Sequence, residues 1–349
     1  MAGAQDLIVV GAGSGGFAAA MRAVQLGGKV TLIEQAHYGG NCMNRACIPS
    51  KVLMTAARSM AAIRQAGRYG IQVGQPSVDM EVLHERKDLI IEGLRMGTEQ
   101  LLTDRDIRLV EGKARLATPD TVEVNGQQHQ ARRIILATGS IAAQPVLEGV
   151  DLPGVIGTEE AVELRQVPER LAVLGSKPWD IELAQCFHVM GSQVTLIESG
   201  RRLLPEADRE ISQRLGKLLH DSGVTIKRGA AVQAIRQGEE DSLNVILAED
   251  KSALPANKVL ASRRLPNSIG LGLRELGVKL KQGAVLVDGG MQSSVPSIYA
   301  VGDLATPRAG IAGPMWSHKA NVEGIVAAEN AMGGSSRMDY GPVPRCLYT

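Results

Sequence analysis

A surplus of charge is the first thing missing from this chain: 38 lysines and arginines face 37 aspartates and glutamates in 349 residues. No net field therefore draws it to nucleic acid or to a membrane surface, and neither is expected as a partner. A leader is missing too. MAGAQD runs straight into the apolar LIVV, with no basic stretch and no cleavage site, and no apolar run is long enough to span a bilayer. These absences point to a cytoplasmic protein. Cysteine is scarce, at four residues, and structural disulfides are disfavoured in such a compartment. Aromatic residues make up only 3% of the chain. With no low-complexity segment and no long linker, the length allows about two or three domains. Glycine is abundant instead, at 40 residues, which implies many places where backbone passes close to something.

Those glycines fall in a repeat. LIVVGAGSGGFAAAMRAVQLGGKVTLIE (7–34) aligns with LAVLGSKPWDIELAQCFHVMGSQVTLIE (171–198), and VTLIE recurs at the same offset from Gly11 and Gly175. Each copy reads as strand, glycine turn, amphipathic helix and a second strand ending in glutamate, a βαβ unit built twice. In the first copy Gly11, Gly13 and Gly16 complete G-x-G-x-x-G, with Ser14 between them. Glu34 ends the next strand, 18 residues beyond Gly16, where a carboxylate can take both ribose hydroxyls of a dinucleotide. The glycines permit the tight turn, the approach of a pyrophosphate and close helix–strand packing, and the helix N-terminus adds positive potential. The second copy keeps Gly175 and Glu198 but places Lys177 at the second glycine and Asp180 at the third. Lys177 fills space a pyrophosphate needs, although its charge attracts phosphate. Asp180 suits a helix cap but repels the ligand.

The pattern further predicts helices over 52–66 and 81–103, strands near 107–110 and 121–124, and another in RRIILATGS (132–140). VTIKRG (224–229) and LNVILAED (243–250) read as strands, and 285–305 supplies two more. A last helix is expected from Pro314, favourable at a first helical position, to Gly333.

GGNCMNRACIPSK (39–51) holds two of the four cysteines, Cys42 and Cys47. A tetrahedral metal site usually takes four ligands, often as two short-spaced pairs. Cys186 and Cys346 are isolated and His37 is the only histidine near the pair in sequence, so no metal is expected. As a staple the pair gains little, because closing so short a loop removes little entropy from the unfolded chain. A redox couple fits best. On a regular helix, positions five apart lie about 8 to 9 Å apart, too far for a disulfide. The backbone between the cysteines must depart from regular helix, tightening if the bond forms. Pro49, Ser50 and Lys51 mark a helix beginning, whose dipole, with the lysine charge, lowers a thiol pKa.

Taken in order, GAGSGG (11–16), GGNC (39–42), CIPSK (47–51), LATGS (136–140), SIYAVGDLA (297–305) and PMWSHKA (314–320) span essentially the whole chain. It resembles the class I pyridine nucleotide–disulfide oxidoreductases of the dihydrolipoamide dehydrogenase, glutathione reductase and mercuric reductase type. The resemblance implies an α/β fold of two Rossmann-like domains, the second inserted into the first. An FAD-binding domain would occupy 1–148 and 267–349, and an NAD(P)-binding-like domain 149–266. It implies that Gly11, Gly13, Ser14, Gly16 and Glu34 hold FAD, with Gly40, Asn41, Ala114, Thr138, Gly139, Ser140, Asp303 and Met315, Trp316, Ser317 and His318 along the cofactor. Cys47 would face the flavin as a charge-transfer thiolate and Cys42 would exchange with substrate. Lys51 would sit near the flavin, paired with Glu182. His318 and Glu323 match a flavin-contact segment, not the family's acid–base couple.

Two departures accompany the match. The family's C-terminal dimerisation domain, which supplies a His–Glu couple, would begin at VPRCLYT (343–349), so that domain and most of the homodimer interface are expected to be absent, and none of the six histidines lies in a matching context. The nicotinamide site, with Gly175 and Glu198, is compromised by Lys177 and Asp180, and Arg263 replaces a family glycine. Pro178 and Trp179 occupy the stretch that gates flavin from nicotinamide. Where NAD(H) does bind, Glu198 favours it over NADPH, an argument blunted by Arg201 and Arg202. The expected function is an FAD-dependent enzyme passing two electrons between NAD(H), FAD, a Cys42–Cys47 disulfide and a dithiol or disulfide such as a lipoyl group. The alternative is an FAD-binding redox protein with a degraded nicotinamide site, working with a protein partner or as a redox-sensing module.

Overall fold

The computed structural model describes residues 5–239, 242–307 and 315–349. The chain divides into two compact units, one of residues 1–45, 91–141 and 265–344, the other of residues 46–90, 142–264 and 345–349.

At the centre of the first unit lies the strand Gln5–Val10, whose Leu7, Ile8, Val9 and Val10 are all buried. A continuous apolar run of this kind belongs to a parallel strand covered on both faces. It pairs in parallel with Val30–Glu34 on one side, Leu7 opposite Val30, and with Gln127–Leu136 on the other, Leu7 opposite Arg133. Arg108–Glu111 and Ile298–Ala300 extend the parallel sheet at its two sides. The ten-residue strand Gln127–Leu136 serves a second sheet as well. Its first half runs antiparallel to Thr121–Val124, which pairs in turn with Ala114–Thr118. The helices Ser14–Gln25 and Ser317–Ala331 pack on the parallel strands and on each other. Their approach depends on glycine, since a Cβ on Gly324 would stand 2.2 Å from the carbonyl oxygen of Gly15. Arg22 closes the pair with an ion bond of 2.6 Å to Glu329.

The second unit repeats the plan. Arg170–Leu174 is central, with Gln193–Glu198 and then Thr225–Arg228 to one side, and Lys258–Ala261 and then Val155–Ile156 to the other, all parallel. One core joins Ile181, Leu183, Ala184 and Phe187 of the helix Pro178–Met190 to Leu53, Met54, Ala57 and Met60 of the helix Cys47–Gln65. A second core packs the antiparallel strands Val232–Gln237, Leu243–Leu247 and Ala253–Ala256 on Ala172, Ile197 and Val259. Two βαβ cores, one encoded within the sequence span of the other, are the expected fold class.

Some boundaries differ from expectation. The helix forecast at 52–66 begins at Cys47, so Pro49 lies in its first turn, where a missing N–H costs no intrahelical bond. Pro314 lies outside the described residues, and the last helix is described from Ser317 to Ala331, short of Gly333. The helix forecast at 81–103 is Met80–Thr103, capped by Asp79, whose Oδ1 accepts from the amides of Glu81 and Val82.

Two glycine substitutions should move stability in opposite directions. Gly324→Ala forces a methyl onto backbone and should lower the denaturant-derived stability by about 1–3 kcal/mol. Gly93, exposed in the helix Met80–Thr103 with open space around its Cα, should gain about 0.5–1 kcal/mol on Gly93→Ala. Equal effects of the two would refute the packing account.

Candidate redox site

In the first unit the chain turns sharply between the strand Gln5–Val10 and the helix Ser14–Gln25. Gly11 holds a φ of +100°, and a Cβ on Gly16 would lie 1.8 Å from the carbonyl oxygen of Gly11. Glycine is the one residue that fits here. The ligand side is open by contrast. A Cβ on Gly13 would meet only the Cα of Gly40, at 3.7 Å, and one on Gly139 would meet nothing within 4 Å. Glu34 stands beside this turn. Its Oε2 accepts from the amide of Ala12 at 2.7 Å and its Oε1 from the amides of Gln35 and Ala36, each at 2.9 Å. The carboxylate is fixed by backbone, with acceptor capacity left for ribose hydroxyls. An open glycine turn, a helix N-terminus and an oriented acid suit the pyrophosphate and ribose of a dinucleotide such as FAD.

The first cysteine is brought to that turn. Gly39 (φ +91°) and Gly40 (φ +57°) start the short helix Gly40–Asn44, and the amide of Gly39 donates to the carbonyl of Ala12 at 2.9 Å. Asn41 donates from Nδ2 to the carbonyl of Ser140 at 2.8 Å. Ser140 Oγ in turn donates to Asp303 Oδ2 at 2.5 Å. Thr138 donates from Oγ1 to the carbonyl of Asn267 at 2.7 Å. The structure thus links Gly13, Gly40, Asn41, Thr138, Gly139, Ser140 and Asp303 into one neighbourhood. Ala114 is buried in the antiparallel sheet, opposite Val124. Met315 and Trp316 precede the last helix, which opens with Ser317 and His318. The ring of His318 lies 5.2 Å from that of Trp316. His318 Nε2 stands 2.9 Å from the carbonyl of Pro344, so that nitrogen carries the proton.

Cys42 and Cys47 are joined as a disulfide. The helix containing Cys42 ends at Asn44, and Arg45 and Ala46 leave helical geometry (Ala46 φ −132°, ψ −85°) before the next helix starts at Cys47. That break is the departure from regular helix that the spacing demands. The other two cysteines are free, Cys346 exposed and Cys186 buried, with burial pushing the Cys186 thiol up to about 12. Sequence reasoning missed Asn44, which is buried and accepts from Arg95 while donating to the carbonyls of Tyr38 and Gly40. An asparagine inside a cysteine motif carries no pattern that would have announced this.

In the second unit Lys51 lies one helical turn after Cys47. Its Nζ is 2.9 Å from Oε2 of Glu182, whose residue is buried. The other carboxylate oxygen accepts from the backbone amide of Tyr348 at 3.0 Å, and Lys51 Nζ sits 4.4 Å over the Tyr348 ring. Tyr348 had no signal in the sequence.

The second glycine turn is occupied by its own side chains. Asp180 Oδ2 accepts from the Lys177 amide at 3.0 Å, and Oδ1 from Ser262 Oγ at 3.0 Å. Ser262 also accepts from Trp179 Nε1 at 3.0 Å. Lys177 Nζ lies over the Trp179 ring, 5.4 Å from its centre. A Cβ on Gly175 would stand 3.1 Å from Asp180 Oδ2. Glu198 is buried and turned inward, accepting from Ser176 Oγ and from the amide of Gly200. Arg263 is exposed. Burial raises the Asp180 carboxyl to about 7, against the opposing pull of its hydrogen bonds to Ser262 and Lys177.

A dinucleotide turn next to a cystine, on a doubled βαβ framework, defines a flavoprotein disulfide oxidoreductase. Residues 5–332 match the family model described as pyridine nucleotide-disulphide oxidoreductase, and the chain belongs to that family. Over 355 residues it is 37% identical to dihydrolipoyl dehydrogenase of Thermus scotoductus, covering 99% of this chain and 74% of that protein. It is 32% identical to mercuric reductase of Lysinibacillus sphaericus over 349 residues, covering 99% of this chain and 63% of that one. Among solved structures it superposes on the HOCl-induced flavoprotein disulfide reductase RclA from Escherichia coli with a TM-score of 0.82 at 26% identity, covering 95% of this chain and 72% of that one. The names of these relatives are those of a dehydrogenase and of reductases, which favours the enzyme over the non-enzymatic module. No helix among the described residues is long and apolar enough to cross a membrane.

The buried Asp180 predicts a pH effect of definite sign. Its folded pKa lies above the ordinary carboxylate value of 3.8, so the folded state holds a proton that the unfolded chain releases. This group's contribution to stability should be present below about pH 4 and fall as pH rises towards about 7, by at most about 1.4 kcal/mol per pH unit. Denaturant titrations at pH 5 and pH 8 should show Asp180→Asn losing less stability across that interval than the unsubstituted protein. A parallel response of the two would refute the assignment.

Proposed function

We propose that this enzyme oxidises or reduces a small or protein-bound dithiol, a lipoyl group being the first candidate, through the Cys42–Cys47 disulfide, with FAD held by the first unit. The observation that carries this reading is the disulfide itself, one cysteine on a short helix docked at the open glycine turn, the other at the start of the helix bearing Lys51.

The exchange can be written on this chain's own atoms. A substrate thiolate attacks the sulfur of Cys42, the Cys42–Cys47 bond breaks, and Cys47 leaves as a thiolate. The N-terminus of the helix Cys47–Gln65 favours that anion and lowers the cost of the step. The second substrate thiol, losing its proton to solvent, then attacks the mixed disulfide and releases Cys42 as a thiolate, which takes up a proton. The substrate is left as a disulfide and the protein as a dithiol, two electrons richer. FAD, when bound, supplies the two-electron acceptor that lets such a dithiol communicate with a nicotinamide.

Gly11, Gly13, Ser14, Gly16, Glu34, Gly40, Asn41, Ala114, Thr138–Ser140, Asp303 and Met315–His318 are the residues proposed to hold FAD, in a domain of 1–148 and 267–349. Residues 149–266 form the nicotinamide-type domain. There the fit is poor. The Lys177 amide already serves Asp180 and Glu198 faces Ser176, so NAD(H) binding at Gly175 is proposed to be weak, with NADH preferred because Glu198 opposes a 2′-phosphate. Lys51, held by buried Glu182, is proposed as the cation accompanying the redox pair. A cytoplasmic location completes the reading.

The test is an anaerobic reductive titration of the FAD-loaded protein. The unsubstituted chain should take up one more electron pair per flavin than Cys47→Ser, with long-wavelength absorbance on partial reduction. Cys42→Ser, which frees the Cys47 thiolate, should show that absorbance before any reductant is added. Both variants should lose dihydrolipoamide oxidation. Equal electron uptake by all three proteins would defeat the proposal.

A further inference from the structure

The last helix of the first unit carries a glutamate that no exchange step uses. Glu323 is fully buried, and Lys319, one turn before it, is 2% exposed. Glu323 Oε2 accepts from the amide of Gly302 at 2.7 Å. Its Oε1 accepts from Tyr340 Oη at 2.9 Å and from Lys319 Nζ at 3.2 Å. Lys319 Nζ also reaches the carbonyl of Gly302, at 3.4 Å. Both backbone polar groups of one glycine are therefore held by a buried ion pair.

Such a pair is expensive to bury, and an apolar pair of similar size would pack the helix as well or better. Its arrangement points to a local use. Gly302 has a φ of +72° and opens the turn Gly302–Leu304, whose middle residue is Asp303. Asp303 accepts from Ser140, at the end of the segment Thr138–Ser140. Tyr340 completes the set: burial, then the neighbouring Glu323 carboxylate, pushes its hydroxyl up, so it stays a phenol and donates.

We propose that Glu323, braced by Lys319 and Tyr340, is a positioning residue for the cofactor site: it clamps Gly302 and thereby sets the direction of Asp303. The proposal rests on the reading above that Asp303 and Thr138–Ser140 contact FAD. Glu323 touches no reacting atom itself. It acts through the turn.

The experiment is a double-mutant cycle on FAD affinity, read by quenching of flavin fluorescence on reconstituting the flavin-stripped full chain. Asp303→Ala should weaken FAD binding, and Glu323→Gln should weaken it about ten-fold, since the Gly302 turn loses its charged anchor. In the Asp303→Ala background the same Glu323→Gln change should alter affinity by no more than about two-fold, because the residue it acts through is gone. Tyr340→Phe, which keeps the carboxylate and removes one donor, should reproduce the pattern with a smaller loss and covers the case in which Glu323→Gln fails to fold. Glu323→Gln and Tyr340→Phe lowering thermal stability while leaving FAD affinity unchanged would overturn the proposal, as would equal losses in both backgrounds. No effect of Asp303→Ala alone would instead overturn the cofactor reading of Asp303 and take the proposal with it.

Discussion

Everything chemical in the first unit depends on one close approach of backbone to backbone. Gly40 packs on Gly13 so tightly that a Cβ on Gly40 would stand 2.6 Å from the Gly13 Cα, and the amide of Gly39 bonds the carbonyl of Ala12. No side chain fits on Gly40 at this contact. The turn that can hold a pyrophosphate and the helix that carries a redox sulfur are thereby locked together by main chain alone. Asn41 then fixes the helix to Ser140, and Ser140 to Asp303, so a single glycine contact sets the origin for a chain of oriented polar groups. A side chain at that point could rotate; two glycine backbones cannot.

The duplicated βαβ units show what happens when that constraint is relaxed. Both keep the first glycine with left-handed backbone, Gly11 at +100° and Gly175 at +110°, because in each the chain must reverse from strand to helix. Only the first keeps all three glycines of G-x-G-x-x-G. In the second, Asp180 accepts from the Lys177 amide and from Ser262 Oγ. The two terminal glutamates diverge in parallel: Glu34 is fixed by three backbone amides at the turn, whereas Glu198 bonds Ser176 and is buried. The fold survives the change because it depends on apolar strands and on the first glycine.

This division also explains what could be read from the residues in order. The repeat, the strand-turn-helix succession and the cysteine spacing are local patterns, so VTLIE, GAGSGG and GGNCMNRACIPSK declare their elements directly. Asp180 and Ser262, by contrast, are 82 residues apart and meet only because Lys258–Ala261 pairs with Arg170–Leu174. Glu182 meets Tyr348 across 166 residues. Nothing in the flanking sequence of Ser262 or Tyr348 encodes those partners, and a charge on a helix, such as Glu323, looks like any solvated acid until its burial is seen. The start of the redox helix escaped for a different reason. Pro49 reads as an opening residue, yet it fits anywhere in a first turn, so it could not mark the boundary at Cys47.

The break between the two cysteines has a further consequence. Because Asn44 ends one helix and Cys47 begins the next, the sulfurs belong to separately anchored elements. Cys42 rides on a helix held by Asn41 and by Asn44, itself fixed by Arg95, Tyr38 and Gly40. Cys47 begins a helix held by Leu53, Met54 and Ala57 in a core and by the Lys51–Glu182 bond. None of these anchors is a sulfur. Cleaving the S–S bond therefore removes a covalent link without removing the contacts that position either thiol. Only the two residues Arg45 and Ala46 lie outside both helices. A pair built in this way can cycle between cystine and dithiol while each thiolate stays where its own helix presents it, which is the property a redox couple needs and a structural staple does not.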